Sequence, residues 1–529
     1  MKILLCAINS KYIHSNPAVY ALKAACGQYG AKYGGEDGSH IDICEFSIND
    51  SHESLLLGIL NKAPKILAFS CYIWNISTVR KLCSDIRKAS PETIIILGGP
   101  EVSFGMAHTG IPVSDYDYVL EGEGEKAFYC LVSKLQSPVF TEPEETFELW
   151  PSIYSEDSLT KFQNRIVYYE ASRGCPYRCA YCLSGACGPV RYLPMERVRG
   201  DLELFHRERI PLVKFTDRTA NCNPARFREI LKLIKSFRDC HTVFHFEVGA
   251  DLFGEEDLRL LASMPPGRIQ LEAGVQSTEP RALESCARRM DTDKILHNLG
   301  KILSFQNINL HGDLIAGLPY EGYTRFGESF NTLYALRLHQ LQLGFLKLLA
   351  GAPLHQTQGE YGYVFSENPP YEVICNRYIS FRELMKLKEI EDVLERYYNS
   401  GRFITCLPLL EQRFESPFAM YEKLGAFYKD RGLVFGKISL MRQYDLLTEF
   451  GSLYGMEENF HKAMLYDWFS TNRQELPPES LKYLWHKKRS VPPGKAGGEP
   501  RCIGNEIFYF CYTRKDPVTG VYERIIDVN

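Results

Sequence analysis

The sequence predicts an α/β protein with a doubly wound N-terminal domain, a central partial (β/α) barrel and a mainly helical C-terminal region. Apolar runs of strand length alternate with helical segments over the first 140 residues, and again after about residue 165. Beyond about residue 376 the segments are helical, up to a short terminal hairpin. We therefore expect domains at 1–140, 165–375 and 376–529, with an acidic, proline-containing linker at 141–164.

The first domain contains five apolar runs that suit buried strands, separated by helical segments. Such alternation predicts one parallel sheet with helices on both faces. The predicted strands are Lys2–Ile8, Ile41–Ile48, Lys65–Tyr72, Glu92–Leu97 and Tyr116–Leu120. The predicted helices are Pro17–Tyr29, with Asn16 as its N-cap, Ser54–Lys62, Ile76–Ala89 and a helix after Glu125 that ends near Leu135.

The loops at the carboxyl ends of these strands have unusual sequences. They are Asn9–Asn16, Ser70–Asn75, Gly98–Ser103 and Glu121–Glu125. Parallel sheets bind their ligands at this edge, near the point where the strand order reverses. This placement favours a ligand-binding domain over a purely structural one.

Six βα units follow in the second domain, which predicts a barrel or partial barrel with functional residues at the carboxyl ends of its strands. The predicted strands are Ile166–Tyr169, Leu212–Thr216, Val243–Val248, Ile269–Ala273, Asn309–Ala316 and Leu341–Leu348. The C-terminal region is predicted to contain a helix at Tyr378–Tyr398, another after Ser416-Pro417, a Gly/Pro-rich break at Ser490–Pro500 and a hairpin around Asp516–Gly520.

Composition excludes several classes of protein. Hydrophobic residues make up 45% of the 529 and charged residues 24%, which excludes a mainly disordered chain. The net charge of −4 does not indicate a nucleic-acid partner. No run approaches the roughly 18 apolar residues of a membrane span, and Met1–Asn9 has no room for a secretion signal. We therefore expect a cytoplasmic protein without membrane contact, whose 17 cysteines are reduced and mostly small core residues.

One cysteine cluster departs from that pattern. Cys175, Cys179 and Cys182 have the spacing C-x3-C-x2-C directly after the first predicted barrel strand. Thiolates this close together can hold zinc or an iron–sulfur cluster. A structural zinc site needs a fourth ligand, which would have to be Cys187 or a distant residue. Three cysteines alone would leave one iron of a 4Fe–4S cluster open for substrate or cofactor.

This motif, with the aromatic Tyr181 before its last cysteine, resembles the signature of radical S-adenosylmethionine (SAM) proteins. The N-terminal domain, with Gly98–Glu101 and Glu121–Glu125 in its loops, resembles the cobalamin-binding branch of that superfamily, and the chain is similar to class B radical SAM methylases. The helical tail is similar to an uncharacterised C-terminal region of some bacterial members. The likeness covers about residues 1–390 well and the tail loosely.

The resemblance implies a 4Fe–4S cluster, SAM and cobalamin as cofactors. Cys175, Cys179 and Cys182 would ligate three irons, SAM would chelate the fourth, and Tyr181 would lie against the adenine. The further residues facing SAM or substrate at strand ends would be Asp217, Glu247, Glu272 and Gln276. Their carboxylate and amide oxygens suit the ammonium and hydroxyl groups of SAM, although polar groups there can also close structural hydrogen-bond networks.

The cobalamin-binding residues that the resemblance implies lie in loops of the first domain. They are Ser70, Gly98, Gly99, Glu121 and Gly122. The two glycines at 98 and 99 would let the backbone pass close to the nucleotide tail, and a tight turn is the structural alternative. The Glu121–Glu125 loop would lie beside the corrin, or else form a solvated face.

His14 stands where many cobalamin domains carry the axial histidine of an Asp-x-His-x-x-Gly loop. The Asp and Gly positions are Tyr12 and Pro17 here, so the group that would orient the imidazole is missing. The resemblance therefore favours a cobalamin without a protein ligand below cobalt, with ligation by His14 as the alternative.

The resemblance implies a cobalamin-dependent radical SAM methyltransferase acting on an unactivated carbon or phosphorus centre of an unknown substrate. One SAM would methylate the cobalamin, and a second, cleaved by an electron from the cluster, would give the radical that activates the substrate. The alternatives are a rearrangement, cyclisation or oxidation with the same cofactors, and a sensor without turnover. An external electron donor of flavodoxin or ferredoxin type would be a partner.

The tail does not indicate nucleic-acid binding. Its positive charges at Lys386, Lys388, Arg431 and His486–Arg489 suit a solvated helix face and lack interleaved aromatic residues. We expect residues 390–529 to cap the barrel mouth and shape the substrate pocket.

Overall fold

The computed structural model describes residues 1–35, 37–136, 142–144, 147, 150–162, 165–186, 188–473, 476–485, 499–504 and 506–525. The chain forms two compact units, one of Met1–Glu247 with Lys347–Val373 and one of Val248–Leu346 with Ile374–Asn529. The domain boundaries expected from the sequence stay predictions. Cys187 and His486–Arg489 lie outside the described residues. Within the described part, no helix is long and apolar enough to cross a bilayer.

The first unit begins with the five-stranded parallel sheet that the apolar runs predict. Its strands are β1 (Ile3–Asn9), β2 (Ile41–Ser47), β3 (Ile66–Ser70), β4 (Ile94–Gly98) and β5 (Tyr118–Leu120), in the order β2-β1-β3-β4-β5. The helices are α1 (Pro17–Tyr33), α2 (His52–Leu60), α3 (Ile76–Ala89) and α4 (Gly124–Gln136). Alternate residues of β1 pack toward α1 and α4 on one face and toward α2 and α3 on the other. The strand order therefore reverses between β1 and β3, where such sheets bind ligands.

Three helices in this sheet domain have boundaries that differ from the sequence prediction: α1 ends at Tyr33 rather than about Tyr29, α2 ends at Leu60 rather than Lys62, and α4 begins at Gly124 rather than after Glu125. The helix expected from Ser54 begins at His52, because the Ser51 hydroxyl accepts a hydrogen bond from the Ser54 amide (3.2 Å) and caps it.

The first unit continues with the start of the second strand–helix series. Its elements are α5 (Glu156–Leu159), β6 (Val167–Tyr169), β7 (Ser172–Arg173), β8 (Arg191–Tyr192), α6 (Met195–Arg207), β9 (Leu212–Phe215), α7 (Pro224–Ser236) and β10 (Val243–Val248). Strands β6 and β10 both pair with β9 in parallel, while β7 and β8 form a short antiparallel hairpin. Within the predicted linker, Phe147, Trp150 and Tyr154 are buried.

The second unit contains three further parallel strands. Its first elements are α8 (Glu255–Ala262), β11 (Ile269–Gln276), α9 (Pro280–Ser285), α10 (Thr292–Ser304), β12 (Ile308–Ala316), α11 (Tyr323–Ala335) and β13 (Gln340–Phe345). Strand β12 pairs in parallel with β11 and with β13. All six strands predicted for the barrel are therefore present, three in each unit, and each is parallel to the strand or strands with which it pairs in its own unit.

Lys347–Val373 belongs to the first unit, and we call it the return segment. It contains α12 (Pro353–Gln356), α13 (Gln358–Tyr361) and β14 (Val364–Phe365), which pairs with β15 (Val373–Cys375). The Leu354 amide donates to the Ala180 carbonyl (2.8 Å), and the Tyr371 hydroxyl donates to Glu101 Oε1 (2.5 Å). The return segment is thus tied both to the cysteine loop and to the loop after β4.

The C-terminal region is helical as predicted, and the Ser416 hydroxyl caps the helix that starts at Pro417 by accepting from the Ala419 amide. The elements of the region are α14 (Phe381–Leu394), a π-helical turn (Glu395–Asn399), α15 (Leu407–Glu411), α16 (Pro417–Asp430), α17 (Leu440–Leu453), α18 (Glu458–Thr471), β16 (Glu499–Ile503), β17 (Glu506–Lys515) and β18 (Tyr522–Ile525). The predicted hairpin is β17–β18. Strand β16 widens it and includes Glu499 and Pro500, which the sequence assigned to a break.

The predicted helix at Tyr378–Tyr398 begins three residues later. The Asn376 side chain accepts from the Tyr378 and Ile379 amides, and Ser380 then caps α14. Asn376 Nδ2 also donates to the Gly317 carbonyl (2.9 Å), just beyond β12. The residue that contacts the chain just beyond the carboxyl end of β12 is thus Asn376, which comes before residue 390. Helix α16, which comes after residue 390, packs on α14 and α11. The expectation that residues 390–529 cap the barrel mouth stays a prediction.

The described basic residues of the tail have structural partners. Lys386 Nζ lies 3.3 Å from Glu422 Oε1, and Arg431 Nη2 lies 2.5 Å from Glu449 Oε1. The Lys388 ammonium lies 4.8 Å from the centre of the Phe345 ring. These contacts agree with the expected helix surface.

Candidate active site

The three motif cysteines lie in the loop of the β7–β8 hairpin, which we call the cluster hairpin (residues 172–192). Gly174, the first residue of the loop, has φ +103°, and a Cβ there would lie 2.9 Å from the Pro189 carbonyl oxygen. The loop closes on itself at this point, so only glycine fits. The turn that presents Cys175 is therefore encoded by the residue directly before it.

Two thiols of this loop, Cys175 and Cys182, accept or share hydrogen bonds with nearby residues. Burial raises the pKa of the Cys175 thiol, and nearby Cys182 and Cys179 raise it further, while the Tyr177 amide and the Thr219 hydroxyl lower it. The Ser184 amide donates to Cys182 Sγ at 3.4 Å. Among the described residues no three Cys, His, Asp or Glu side chains are placed to hold a single metal ion. Three neighbouring thiols with amide donors suit a cluster, whose cysteines bind separate irons.

Asp217 follows β9 and is almost completely buried. Its Oδ1 accepts from the Ser172 hydroxyl (2.5 Å) and its Oδ2 from the Ala171 amide (2.9 Å). Burial raises its pKa to about 7, against the lowering effect of these two hydrogen bonds. Both carboxylate oxygens therefore fasten the segment that leads into the cluster hairpin.

A cavity of about 960 Å³ lies in the first unit. All four predicted ligand loops of the first sheet contribute to its wall, as do the ends of β6, β9 and β10. This volume is at the upper end of the range for small-molecule sites. It suits a large cofactor.

The cavity separates the predicted site residues into groups. Ser70, Gly98, Gly99, Gly122 and Glu247 line it. Glu121, Tyr181 and Asp217 belong to the same unit but are not part of its wall, and Glu272 and Gln276 belong to the second unit. Glu123 and Glu125, rather than Glu121, are the carboxylates of the acidic loop that reach the cavity.

The two adjacent glycines after β4 differ in what surrounds them. Gly99 has φ +112°, and a Cβ there would lie 2.5 Å from the Cys71 carbonyl oxygen. At Gly98 an added Cβ would make only an ordinary contact, 3.8 Å from Leu120 Cβ. Gly99 therefore serves a close backbone crossing, whereas nothing in the surrounding chain demands glycine at Gly98.

The polar wall of the cavity offers an acceptor to a bound cofactor. Asn16 Nδ2 donates to Ser70 Oγ (3.3 Å), but the buried Asn16 Oδ1 has no partner within the described part of the chain. A buried amide oxygen without a donor is costly. A cofactor amide that donates to Asn16 would satisfy it, so this wall fits cobalamin, which carries several amides. The sequence analysis used Asn16 only as a helix cap, although its side chain makes no capping hydrogen bond to α1.

His14 lines the cavity and has a partner that the loop pattern did not reveal. Its Nδ1 lies 2.6 Å from the Tyr168 hydroxyl, and its backbone forms a bridge with Ile166. Burial and the nearby Lys11 and Lys214 lower its pKa, which favours the neutral ring.

Two arginines missed by the sequence analysis hold the cluster hairpin. Arg173 contacts Glu125 and Glu170, and Arg191 contacts Glu123. The Arg173 guanidinium also lies 4.0 Å from the centre of the Trp150 ring. The only local signal was the position of Arg173 two residues before Cys175.

The site residues of the second unit share one face of β11. Glu272 and Gln276 are half-buried at alternate positions of this strand. Gln276 has φ +71°, and its Oε1 is buried without a partner among the described residues. An added Cβ at Gly274 would collide with Gln276 Nε2, and the Gly274 carbonyl accepts from Arg288. The small residue at 274 thus makes room for the Gln276 amide.

Three family profiles match the chain. "B12 binding domain" matches residues 3–132, "Radical SAM superfamily" matches residues 169–333, and "Protein of unknown function (DUF4080)" matches residues 359–491. The first two matches cover the parts that carry the ligand loops and the cluster hairpin.

The first two curated relatives that match the chain are named as methyltransferases. The 2-(S-pantetheinyl)-carbapenam-3-carboxylate methyltransferase of Streptantibioticus cattleyicolor is 24% identical over 365 residues, which are 59% of this chain and 51% of the relative. The chain spans about half the length of the curated relatives it matches first.

Solved structures show the same fold. The radical SAM methyltransferase TsrM of Kitasatospora setae, with cobalamin and a [4Fe–4S] cluster bound, has a TM-score of 0.54 at 15% identity, over 70% of this chain and 79% of that one. The cobalamin-dependent SAM radical enzyme OxsB, with aqua-cobalamin bound, has a TM-score of 0.59 at 13% identity, over 91% and 83%. The chain thus contains a domain at residues 169–333 that matches the radical SAM profile and an N-terminal domain at residues 3–132 that matches the B12-binding profile, and the cofactors of these domains are a 4Fe–4S cluster with SAM, and cobalamin.

Proposed function

We propose that this chain is a cobalamin-dependent radical SAM methyltransferase that acts on an unactivated carbon or phosphorus centre. One observation carries the proposal: a single cavity borders both the ligand loops of the B12-binding sheet and the residues directly before and after the three cysteines, Gly174 and Leu183 with Ser184. Methyl transfer through two cofactors requires that both reach one space. The methyltransferase names of the relatives agree with this assignment.

The residues around the cavity and the cysteine loop would hold the two cofactors and shield them from water. When bound, cobalamin supplies the methyl group and the cluster with SAM supplies the radical that activates the substrate. Cys175, Cys179 and Cys182 would hold the cluster, and Asp217 keeps their loop in place through Ser172. Gly98 leaves the cavity wall open, and the aromatic side chains of the wall exclude water.

Further residues would complete the two cofactor sites. Asn16 would accept a hydrogen bond from a cobalamin amide in the cavity. Tyr181 would lie against the SAM adenine, and Glu247, Glu272 and Gln276 would accept from its polar groups.

The test uses the anaerobic protein reconstituted with iron, sulfide and cobalamin. After addition of SAM and reductant, we expect S-adenosylhomocysteine and 5′-deoxyadenosine, both measured by mass spectrometry. Cys179→Ala should remove the iron and the 5′-deoxyadenosine together. Cys222→Ala is the matched control, because Cys222 is a half-buried thiol of the same unit outside the motif. Retained SAM cleavage in Cys179→Ala would refute the cluster assignment.

A second candidate is a rearrangement, cyclisation or oxidation with the same cofactors. The observation that favours it is the likeness to OxsB, whose alignment covers more of this chain than the alignment with TsrM. OxsB is described as a SAM radical enzyme rather than as a methyltransferase. In that case 5′-deoxyadenosine would form without S-adenosylhomocysteine.

Reduction of the cluster requires an electron donor, which we propose to be a flavodoxin or ferredoxin. We also propose a cytoplasmic location, since the 16 cysteines that the structure describes are all free thiols. The same assay, run with each purified donor in place of chemical reductant, tests the first of these proposals.

A further inference from the structure

The cysteine loop is held at its stem by the B12-binding domain. In the cluster hairpin Arg173 pairs directly opposite Arg191, and the three motif cysteines lie in the loop between them. Arg191 contacts Glu123 in the loop between β5 and α4, and Arg173 contacts Glu125 in the first turn of α4. We call Arg173, Arg191, Glu123 and Glu125 the stem clamp.

The contacts of Arg173 are bidentate and mostly buried. Its Nη2 and Nη1 lie 3.1 and 3.4 Å from the two oxygens of Glu125, which is 7% exposed. Its Nε and Nη2 lie 2.8 and 2.6 Å from the two oxygens of Glu170. Two forked contacts and the stacked Trp150 ring fix the direction of the guanidinium, and breaking one of them would leave a buried charge unpaired.

Arg191 completes the clamp at the other strand of the stem. Its Nη1 lies 3.2 Å from Glu123 Oε2, and its Nη2 contacts the second oxygen. Arg173 Nη1 also lies 3.7 Å from Glu123 Oε2. The two strands of the stem are therefore held by carboxylates only two residues apart in sequence.

The acidic side of the clamp belongs to the cavity wall. Gly122, Glu123, Gly124 and Glu125 line the cavity, and Arg173 lines it as well. A ligand that fills the cavity therefore contacts the end of the loop after β5 and the start of α4, which together hold the stem. A ligand that orders a shared element lowers the cost of ordering it again for a second ligand.

We propose that the stem clamp couples the two cofactor sites. Cobalamin in the cavity orders residues 122–125, where the loop after β5 enters α4, these residues fix the hairpin stem, and the ordered cysteine loop binds SAM at its cluster more tightly. Arg173 and Arg191 are positioning residues in this device. The inference rests on cobalamin occupying the cavity, as the proposed function does, but it does not require methyl transfer.

The test measures binding without turnover. Anaerobic protein with its oxidised cluster is titrated with SAM, without reductant, in the presence and absence of saturating hydroxocobalamin. We expect cobalamin to tighten SAM binding at least about 5-fold, and SAM to tighten cobalamin binding by the same factor, because coupling is reciprocal. Arg173→Lys keeps the charge but loses the fork, and Glu125→Gln keeps the shape but loses the charge. Both variants should reduce the effect of cobalamin on SAM affinity, and that of SAM on cobalamin affinity, to a factor near one.

The control is Arg87→Lys. Arg87 also contacts a carboxylate, Asp117, at 2.7 Å, but before β5 and away from the cavity wall. The Arg87→Lys variant should show the same coupling between SAM and cobalamin binding as the wild-type protein. Iron and sulfide content are measured first, and if Arg173→Lys loses its cluster, Glu123→Gln gives the same readout from the Arg191 side.

Each outcome decides the proposal. Wild-type protein that binds both cofactors without coupling, or clamp variants that keep the full coupling, would overturn it. Wild-type protein that binds no cobalamin would refute the proposed function as well. Coupled binding followed by no S-adenosylhomocysteine would leave the clamp supported and contradict only the methyltransferase assignment.

Discussion

Asp217 Oδ1 lies 2.5 Å from the Ser172 hydroxyl and joins the end of β9 to the first residue of the cluster hairpin. The other carboxylate oxygen accepts from the Ala171 amide. The sequence analysis expected Asp217 to face SAM. In the structure its oxygens bind the segment before the cysteine loop, and a contact of Asp217 with SAM stays a prediction.

The buried carboxyl of Asp217 makes folding stability depend on pH. Its folded-state pKa of about 7 is above the usual value for Asp, so the protonated form favours the fold. This contribution is fully present below about pH 4 and is lost as the pH rises through about 7, at about 1.4 kcal/mol for each unit of the shift. Cluster-free wild-type protein should therefore lose stability relative to Asp217→Asn over this range, measured by anaerobic urea unfolding.

Ser172→Ala is the matched control for this experiment. It removes a hydrogen bond that lowers the pKa of Asp217 but leaves the carboxyl in place, so the loss of stability should continue to a higher pH than in wild type. A stability difference between Asp217→Asn and wild type that does not change with pH would contradict the prediction.

Gly99→Ala and Gly98→Ala should differ sharply. At Gly99 the new methyl group would meet the Cys71 backbone in a left-handed conformation, with an expected loss of about 1–3 kcal/mol or more in the free energy of unfolding. Gly98→Ala should fold normally and weaken cobalamin binding, because its methyl group enters only the cavity wall. Urea unfolding and retention of cobalamin after gel filtration measure the two effects. Equal stability of both variants would show that the close backbone crossing is not required.

His14→Ala should leave the electron paramagnetic resonance spectrum of bound cob(II)alamin unchanged. The Tyr168 hydroxyl holds Nδ1 of the ring and Ile166 pairs with the backbone, which gives His14 a structural role, while the contact at Nδ1 alone does not decide whether Nε2 binds cobalt. We expect a stability loss of about 1 kcal/mol from the lost hydrogen bond. Tyr168→Phe, which removes the same hydrogen bond, should cost a similar amount. Loss of a nitrogen splitting in His14→Ala alone would instead identify His14 as the axial ligand.

Glu101→Gln should destabilise the protein more at pH 6 than at pH 8.5. A hydrogen bond with Glu101 raises the pKa of His108, whose Nε2 lies 3.5 Å from Glu101 Oε1. That stabilisation is fully present below about pH 6.5 and is lost as the pH rises through the folded-state pKa. The extra loss at low pH should be about 1 kcal/mol.

Thermal unfolding of Glu101→Gln at the two pH values measures this effect. Tyr371→Phe, which removes only the neutral donor to the same carboxylate, should cost the same at both. A loss for Glu101→Gln that is equal at pH 6 and pH 8.5 would exclude the ion pair.

The sequence predicted those features of the structure that depend on a single short stretch of chain. Apolar runs predicted all the strands of the parallel sheets, and local residues such as Ser416 and Pro17 predicted helix starts. The ligand loops were predicted because strand ends in a parallel sheet share one edge. The cysteine spacing and the Gly98-Gly99 pair are likewise local.

Contacts between distant parts of the chain could not be predicted. Arg173 and Glu125 are 48 residues apart, and no periodicity relates them. Phe147 and Trp150 lie in a stretch that resembles a linker because its few apolar residues follow no helix or strand period, yet both are buried. The partner of His14 was missed for the same reason, since Tyr168 is 154 residues away.

The return segment has a consequence for synthesis of the protein. Because the first unit includes Lys347–Val373, the ribosome must make almost a hundred residues of the second unit before the first can be completed. Until then the Ala180 carbonyl lacks the Leu354 amide and Glu101 lacks the Tyr371 hydroxyl. Domains usually fold from the N-terminus as they emerge. Here the cysteine loop acquires its last support late, so a cluster inserted into the finished chain meets a better-ordered loop than one inserted during translation.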